Sequence, residues 1–282
     1  MKLVELRNFF EQELRLIYDV DEVRQHFALL CESYFGYSSA EVVLNLQNKA
    51  SAADELRFKD DLAQLKENVP IQYIVGKVDF AGVQLKINPS VLIPRPETEE
   101  LVHWILATVS NTKSIQVLDI GTGSGCIALA LKKVRPNWHI SAWDIDNNAL
   151  RVAQQNAKDN ALYIDFHCVD TLSEKLPKNN WDIIISNPPY VPAALKQTTQ
   201  PHVLAHEPHH AIFVPDNRPL YFYEHICDYA MQQLRVSGNL FFEGHAPLME
   251  SLKILLQQAG FSDIVLRNDF RTNPRFIRAK KQ

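Results

Sequence analysis

Val117-Leu118-Asp119-Ile120-Gly121-Thr122-Gly123-Ser124-Gly125 decides the fold of this chain. Val117 to Ile120 has the apolar density of a buried strand, the glycines make a turn, and a helix follows from Cys126 to about Lys133. Strand, glycine turn and helix together open a nucleotide-binding α/β unit, because positive φ lets the backbone approach a ligand closely. The spacing is Gly-x-Gly-x-Gly, and Cys126 stands where a dinucleotide fingerprint needs its third glycine. No Gly-x-x-x-x-Gly-Lys-Ser/Thr pattern exists, so phosphoryl transfer has no support. The next strand pattern, His139 to Trp143, ends in Asp144, about 20 residues past the loop, where a carboxylate can hold a ribose diol. A nucleoside cofactor fits this arrangement, and nothing in the loop demands a pyrophosphate.

A second motif follows another buried-strand pattern. Trp181-Asp182-Ile183-Ile184-Ile185-Ser186 runs directly into Asn187-Pro188-Pro189-Tyr190. Ligands of open α/β sheets bind at the C-terminal edge of the strands, which is where this segment falls. Neither proline has an N–H; both fix φ and leave carbonyls free to accept. The expected result is a rigid set of acceptors for a planar –NH2 group, with Tyr190 to pack on it. Taken alone, the four residues also read as a proline turn after a strand.

Around these motifs the chain has two halves. Residues 3 to about 68 read as helices. Leu3, Leu6, Phe10, Leu14 and Ile17 recur at helical spacing, Asp21 is placed to cap a second helix, and Ser38/Glu41 and Ser51/Asp54 fit capping boxes. Tyr73 to Ile87 alternates around Ala81-Gly82 and predicts a hairpin. From Ser114 onward strands are expected near 115–120, 138–143, 163–168, 181–186, 238–243, 262–267 and 275–279, with helices between most of them. That alternation predicts an α/β sheet covered on both faces. The expected division is a helical bundle over 1–70, a hairpin linker over 71–93 and an α/β domain over 94–282.

Composition narrows the function. With 282 residues, 46% hydrophobic and 22% charged, the chain reads as an ordinary soluble protein of about two domains. Its net charge of −4 argues against a phosphate-gripping surface, so direct nucleic-acid binding is not expected. The basic C-terminal run (Arg267, Arg271, Arg275, Arg278, Lys280, Lys281) reads as solvated strand faces. Cys31, Cys126, Cys168 and Cys227 form no Cys-x-x-Cys pair, which suits a reducing cytoplasm without structural zinc. No signal peptide or membrane-spanning run is read. His202, His206, His209 and His210 read as loop histidines rather than metal ligands.

With these motifs in hand, the chain resembles the class I S-adenosylmethionine-dependent methyltransferases that modify planar nitrogens. More narrowly, it is similar to the protein-(glutamine-N5) methyltransferases of bacterial peptide chain release factors. The resemblance runs through Pro70-Ile71-Gln72-Tyr73-Ile74-Val75-Gly76 and Phe80 to Leu92-Ile93-Pro94-Arg95-Pro96-Glu97-Thr98-Glu99. It continues through the glycine loop, Asp144 and Asn187-Pro188-Pro189-Tyr190 to Glu207-Pro208. The Pro-Arg-Pro-Glu-Thr-Glu segment separates this group from its ribosomal-protein-modifying relatives. The resemblance implies a seven-stranded Rossmann-like sheet with an antiparallel last strand, and methyl transfer to the glutamine of a Gly-Gly-Gln motif.

It also implies roles. Asp119, Gly121, Thr122, Gly123, Ser124, Gly125, Asp144, Thr171 and Asn187 fall on the cofactor positions. Asn187, Pro188, Pro189 and Tyr190 fall on the substrate positions, with Asn187, Pro188 and Tyr190 as the catalytic set. Thr171 replaces a bulky or aromatic residue often found beside the adenine. Two further departures, Val214 to Leu220 and Glu243-Gly244-His245, are read as loops beyond the chemistry. Arg95, Glu97, Thr98 and Glu99 lie beside the cofactor pocket by resemblance, and equally form a helix start with Pro96 in its first turn. The rival readings are a ribosomal-protein glutamine methyltransferase and an adenine-N6 DNA methyltransferase; the latter must extract its base from a duplex.

Overall fold

Apolar residues at helical spacing near the N-terminus close a bundle around Phe58. The computed structural model describes residues 1–109, 114–173 and 176–282. It divides into one unit of residues 1–77 with 200–206, and a second of residues 78–199 with 207–282. In the first unit, α1 (Leu3–Leu14), α2 (Val20–Phe35), α3 (Ser39–Leu44), α4 (Ala52–Lys66) and α5 (Ile71–Val75) follow in order. The Phe58 ring meets Phe10, Phe27 and Tyr34 at centroid distances of 5.9, 5.2 and 5.3 Å. Both predicted capping boxes form. The cap of α2 is Asp19 rather than Asp21: its side chain accepts from the Glu22 amide, while Asp21 lies inside the first turn facing the helix dipole.

The hairpin is shorter than its alternation suggested. Tyr73 to Val75 belong to α5, and the paired strands are β1 (Lys77–Phe80) and β2 (Val83–Lys86). Ala81 and Gly82, at φ 45° and 78°, make the two-residue turn with positive φ at both positions that matches strand twist. Phe80, Val83 and Leu85 are buried in the core of the second unit, so the hairpin is part of that unit rather than a free linker.

After α6 (Pro96–Thr108), β3 (Gln116–Ile120), α7 (Cys126–Val134), β4 (His139–Asp144), α8 (Asn147–Asp159) and β5 (Asp165–Cys168) alternate. Then come β6 (Trp181–Ser186), the short β7 (Val191–Pro192), α9 (Pro201–His206, which packs in the first unit) and β8 (Phe213–Val214). The chain ends with α10 (Tyr221–Gln233), β9 (Leu234–Glu243), α11 (Met249–Gln258), β10 (Phe261–Asn268) and β11 (Pro274–Lys281). Seven strands form one sheet in the order β10-β11-β9-β6-β3-β4-β5, and β11 is antiparallel to both neighbours while the other neighbouring pairs are parallel.

Alternate side chains of each central strand enter opposite cores. Val117, Ile183, Ile185, Phe241 and Phe276 join α6, α7 and the hairpin on one face. Leu118, Ile120, Ile184, Phe242 and Ile277 join α10 and α11 on the other. Burial on both faces explains why β6 reads as an unbroken apolar run. In the basic C-terminal run, Arg275 pairs with Asp269, Arg278 with Asp263, and Arg267 lies over the Trp104 ring.

Candidate active site

The strand order reverses between β3 and β6, and both sequence motifs sit there. Ile120 pairs with Ser186 in register, and the Ser186 hydroxyl donates to the Ile120 carbonyl at 2.8 Å. Gly121 and Asn187 are the next residues on neighbouring parallel strands. A ligand crevice at the switch point of an open sheet is therefore framed by the glycine loop on one side and Asn-Pro-Pro-Tyr on the other.

A cavity of about 270 Å³ opens there. Gly121, Gly123 and Asp144 line it on the β3 and β4 side, and Asn187, Pro188 and Pro189 line it at the end of β6. Thr171 and Val169 form part of the wall beyond β5. Ile145, Ala149 and two α10 residues, Phe222 and Ile226, add apolar surface that the motif reading did not anticipate. Phe222 thus brings an aromatic ring to a pocket whose Thr171 position lacks one.

The loop that forms the floor is tightly cross-braced. The amides of Gly121 and Thr122 both donate to the Trp143 carbonyl, at 2.8 and 2.9 Å. One Asp144 oxygen accepts from the Gly123 amide at 2.8 Å, the other from the Asp146 amide at 3.0 Å. Burial raises the Asp144 pKa, and these two donations oppose that shift. A Cβ built on Gly121 (φ 73°) or Gly123 (φ 55°) meets nothing within 4 Å. The open space beside them, with a carboxylate at its edge, is a cradle of the kind a nucleoside ligand fills. The residues present fit S-adenosylmethionine.

Other loop positions have different work. Gly125 does not line the cavity: a Cβ there would sit 3.2 Å from Ala153 Cβ and from Leu129 Cδ1, so this glycine lets α7 and α8 approach. Thr122 and Ser124 are buried beneath the loop. Asp119 is fully buried and accepts from the Thr122 hydroxyl at 2.7 Å, which orders the turn. Its Oδ1 is buried with no hydrogen-bond partner among the described residues, and burial pushes its pKa up to about 7.

Beside Asn187 lies a buried polar cluster whose acid, Glu243, the sequence reading had placed beyond the chemistry. Asn187 Nδ2 donates to Thr98 Oγ1 at 3.3 Å, and Thr98 Oγ1 donates to Glu243 Oε2 at 2.8 Å. Tyr190 Oη approaches Glu243 Oε1 at 3.5 Å, and the Tyr190 ring stacks on His245 at 6.2 Å. Glu243, at the end of β9, is 1% exposed. Glu243 therefore ends a strand and packs, through Thr98, beside Asn187, where its departure from the family pattern had suggested a more distant loop; Gly244 and His245 follow outside the strand. Burial pushes the Glu243 carboxyl up to about 7, and the Thr98 hydrogen bond and Arg275 oppose that shift. Burial, and then Glu243 itself, push the Tyr190 phenol up. The only sequence signal was a lone acid closing an apolar strand.

Thr98 arrives on the first turn of α6, which has Pro96 at its start and Glu97 and Glu99 in its first turn. The helix-start reading of that segment holds, and Thr98 meets Asn187, while Arg95, Glu97, Thr98 and Glu99 are not among the residues that line the cavity. Just before it, the buried Glu207 carboxylate accepts from Arg95 at 2.6 Å and from the Ile93 amide at 3.2 Å. The histidines do not converge: His206 meets the Glu67 carbonyl, His209 packs edge-on against Phe213, and His210 lies 3.9 Å from Asp146. Among the described residues no group of three or more His, Cys, Asp or Glu is placed to hold a metal ion.

Residues 5–76 match the PrmC N-terminal domain model and residues 101–209 the methyltransferase small domain model. A release factor glutamine methyltransferase of Flavobacterium psychrophilum is 39% identical over 99% of both chains. One from Streptococcus pneumoniae is 41% identical over 86% of this chain and 85% of its own. Among solved structures, the catalytic domain of hMettl16 in complex with MAT2A 3′UTR hairpin 1 shares the fold. Its TM-score is 0.57 at 20% identity, covering 82% of this chain and 81% of that one. With its whole length matched in this way, the chain belongs to the release factor glutamine methyltransferase family.

Proposed function

We propose that this chain transfers the methyl group of S-adenosylmethionine to the side-chain amide nitrogen of a glutamine in peptide chain release factors, within their Gly-Gly-Gln motif. The observation that carries the reading is the Asn187 carboxamide lining the same cavity as Asp144, Gly121 and Gly123. Family membership supplies the reaction class.

S-adenosylmethionine, when bound, supplies a methyl group already activated by a sulfonium. Gly121 and Gly123 would hold its methionine and ribose portions, Asp144 would accept from its ribose hydroxyls, and Thr171 with Phe222 would flank its adenine. The acceptor is the harder partner. A carboxamide nitrogen is a weak nucleophile because its lone pair is delocalised into the carbonyl. Asn187 Oδ1 and the Pro188 carbonyl accept its two hydrogens, fix its plane and raise its electron density as the new bond forms. The prolines hold those acceptors still, and Tyr190 packs against the amide face. Orientation of this kind can remove several kcal/mol of barrier. No strong base is needed, since the nitrogen becomes acidic on methylation and its surplus proton then leaves to water.

The helical bundle is read as the part that recognises the protein substrate, which its match to the PrmC N-terminal domain supports. A substrate from translation and four free cysteines support a cytoplasmic location. No helix among the described residues is long and apolar enough to cross a membrane.

The test is methyl transfer from labelled cofactor to purified release factor, run beside duplex DNA and ribosomal protein, with mass spectrometry locating the mark. Methyl on the Gly-Gly-Gln glutamine is expected. Asn187→Ala should lower turnover by orders of magnitude and leave cofactor affinity within a few-fold. Transfer to DNA or ribosomal protein in place of release factor overturns the reading.

A further inference from the structure

Asn187 can serve as an acceptor only if its amide is held one way round. A carboxamide presents oxygen and NH2 on nearly identical shapes, so something must choose between them. The chain Asn187 Nδ2 to Thr98 Oγ1 to Glu243 Oε2, at 3.3 and 2.8 Å, is built to make that choice. We propose that Thr98 and Glu243 are positioning residues that fix the orientation of the Asn187 carboxamide and thereby leave Oδ1 for the substrate. The proposal rests on the reaction assigned above and deepens it.

An ionised carboxylate only accepts, so the single Thr98 proton goes to Glu243. The oxygen of Thr98 then shows Asn187 lone pairs, which welcome Nδ2 and repel Oδ1. Thr98 is 3% and Glu243 1% exposed, so water cannot easily substitute for either partner. An amide turned the other way would set Oδ1 against the Thr98 oxygen and leave the buried hydroxyl oxygen without its donor. The same carboxylate lies 3.5 Å from the Tyr190 hydroxyl through its other oxygen, and the Glu243 carbonyl accepts from Tyr223 at 2.9 Å. One side chain therefore braces both ends of the Asn-Pro-Pro-Tyr segment.

Three elements far apart in sequence meet here: the start of α6, the end of β6 and the end of β9. A glutamine at 243 could accept from Thr98 but could also donate to it, which would remove the preference. Loss of charge on Glu243 should act likewise. The groups that set that charge are Glu97 and Thr98 on α6, Cys126 on α7, Asn187 and Tyr190 after β6, Tyr223 on α10 and Arg275 on β11.

Full-length Thr98→Val, Thr98→Ser and Glu243→Gln are compared with the unaltered protein in release-factor methylation, calorimetric cofactor binding and thermal melting. Thr98→Val should lower kcat by about 10- to 100-fold, the scale of a misplaced reacting group. Its cofactor Kd should stay within about two-fold. Thr98→Ser, which keeps the hydroxyl, should recover most of the turnover. The acid limb of the kcat–pH profile, rising toward pH 7, should flatten in Glu243→Gln. Thr98→Val at full turnover refutes the relay alone, as does a loss of cofactor affinity and melting temperature that parallels the loss of kcat. If the unaltered protein methylates no release factor, the assigned reaction fails and the relay with it.

Discussion

Replacing Asn156 by leucine should loosen the cofactor loop from behind. Asn156 is 0% exposed on α8, and its side chain makes three hydrogen bonds: it accepts from the Lys86 amide at 2.7 Å and donates to the Lys86 carbonyl at 3.0 Å and the Ser124 carbonyl at 2.9 Å. One amide thus ties the hairpin strand and the glycine loop to one helix. Leucine keeps the branched outline, has no polar atoms and is bulkier, so it leaves no cavity and any crowding adds to the loss. The Ser124 carbonyl, left unpaired in a buried place, costs about 1–3 kcal/mol, and the two Lys86 groups, nearer water, about 0.5–1 kcal/mol each. The sum is about 3 kcal/mol. For a unit of roughly 200 residues that lowers the melting temperature by about 6–12 °C. Scanning calorimetry measures it, and titration calorimetry should show cofactor binding weakened several-fold because Ser124 lies in the loop. Asn156→Asp should be worse than leucine, since a carboxylate would face two carbonyls that now accept from Nδ2. A leucine variant melting within 2 °C of the unaltered protein would refute the reasoning.

Three further outcomes are expected. Asp144→Ala should weaken cofactor binding by about 1.5–3 kcal/mol, the scale of a hydrogen bond to a charged group, and unchanged affinity by calorimetry would contradict it. Gly125→Ala should destabilise by about 2–4 kcal/mol, combining left-handed backbone with a methyl crowded by Ala153 and Leu129. Gly121→Ala, with open space at its Cβ, should instead be felt mainly in cofactor affinity, and denaturant melts beside binding isotherms separate the two. The third concerns pH. The folded pKa of Glu243 is raised, so between its ordinary value and about 7 the native state holds a proton that the unfolded chain has released. Its contribution to stability therefore falls as pH rises through that window. Glu243→Gln should shrink the change in melting temperature between pH 5 and pH 7, and an unaltered change would count against it.

What could be read in advance followed from local chemistry. Glycines after a strand, an acid ending the next strand and prolines after the third long apolar run each carry their meaning within a few residues, and the sheet brought them to one edge. Strand β9 begins at Leu234, earlier than its apolar segment suggested, because Arg235 to Gly238 extend it through a kink with Ser237 at φ 65°. The hairpin began later than its alternation indicated because Ile71, Ile74 and Val75 are drawn into the bundle core, where a helical turn buries them. Glu243 and Asn156 were not legible. Each is a single polar residue in an apolar or mixed pattern, and its side-chain partners lie 32 to 145 positions away in the chain. Such contacts exist only after the layers have packed. The same holds for Phe222 and Ile226, whose spacing on α10 says that they share a face but not that a cavity lies beside them.

The pairing of Ile120 with Ser186 sets a ruler. Adjacent strands in a sheet lie about 4.8 Å apart, a length fixed by peptide geometry and not by any side chain. Donor shelf and acceptor shelf stand at the ends of two such neighbours, so the gap between them is inherited from the backbone and shielded from most substitutions. A protein built this way can exchange one acceptor molecule for another by rewriting the loops above the ruler, without recalibrating the distance over which the methyl group must travel.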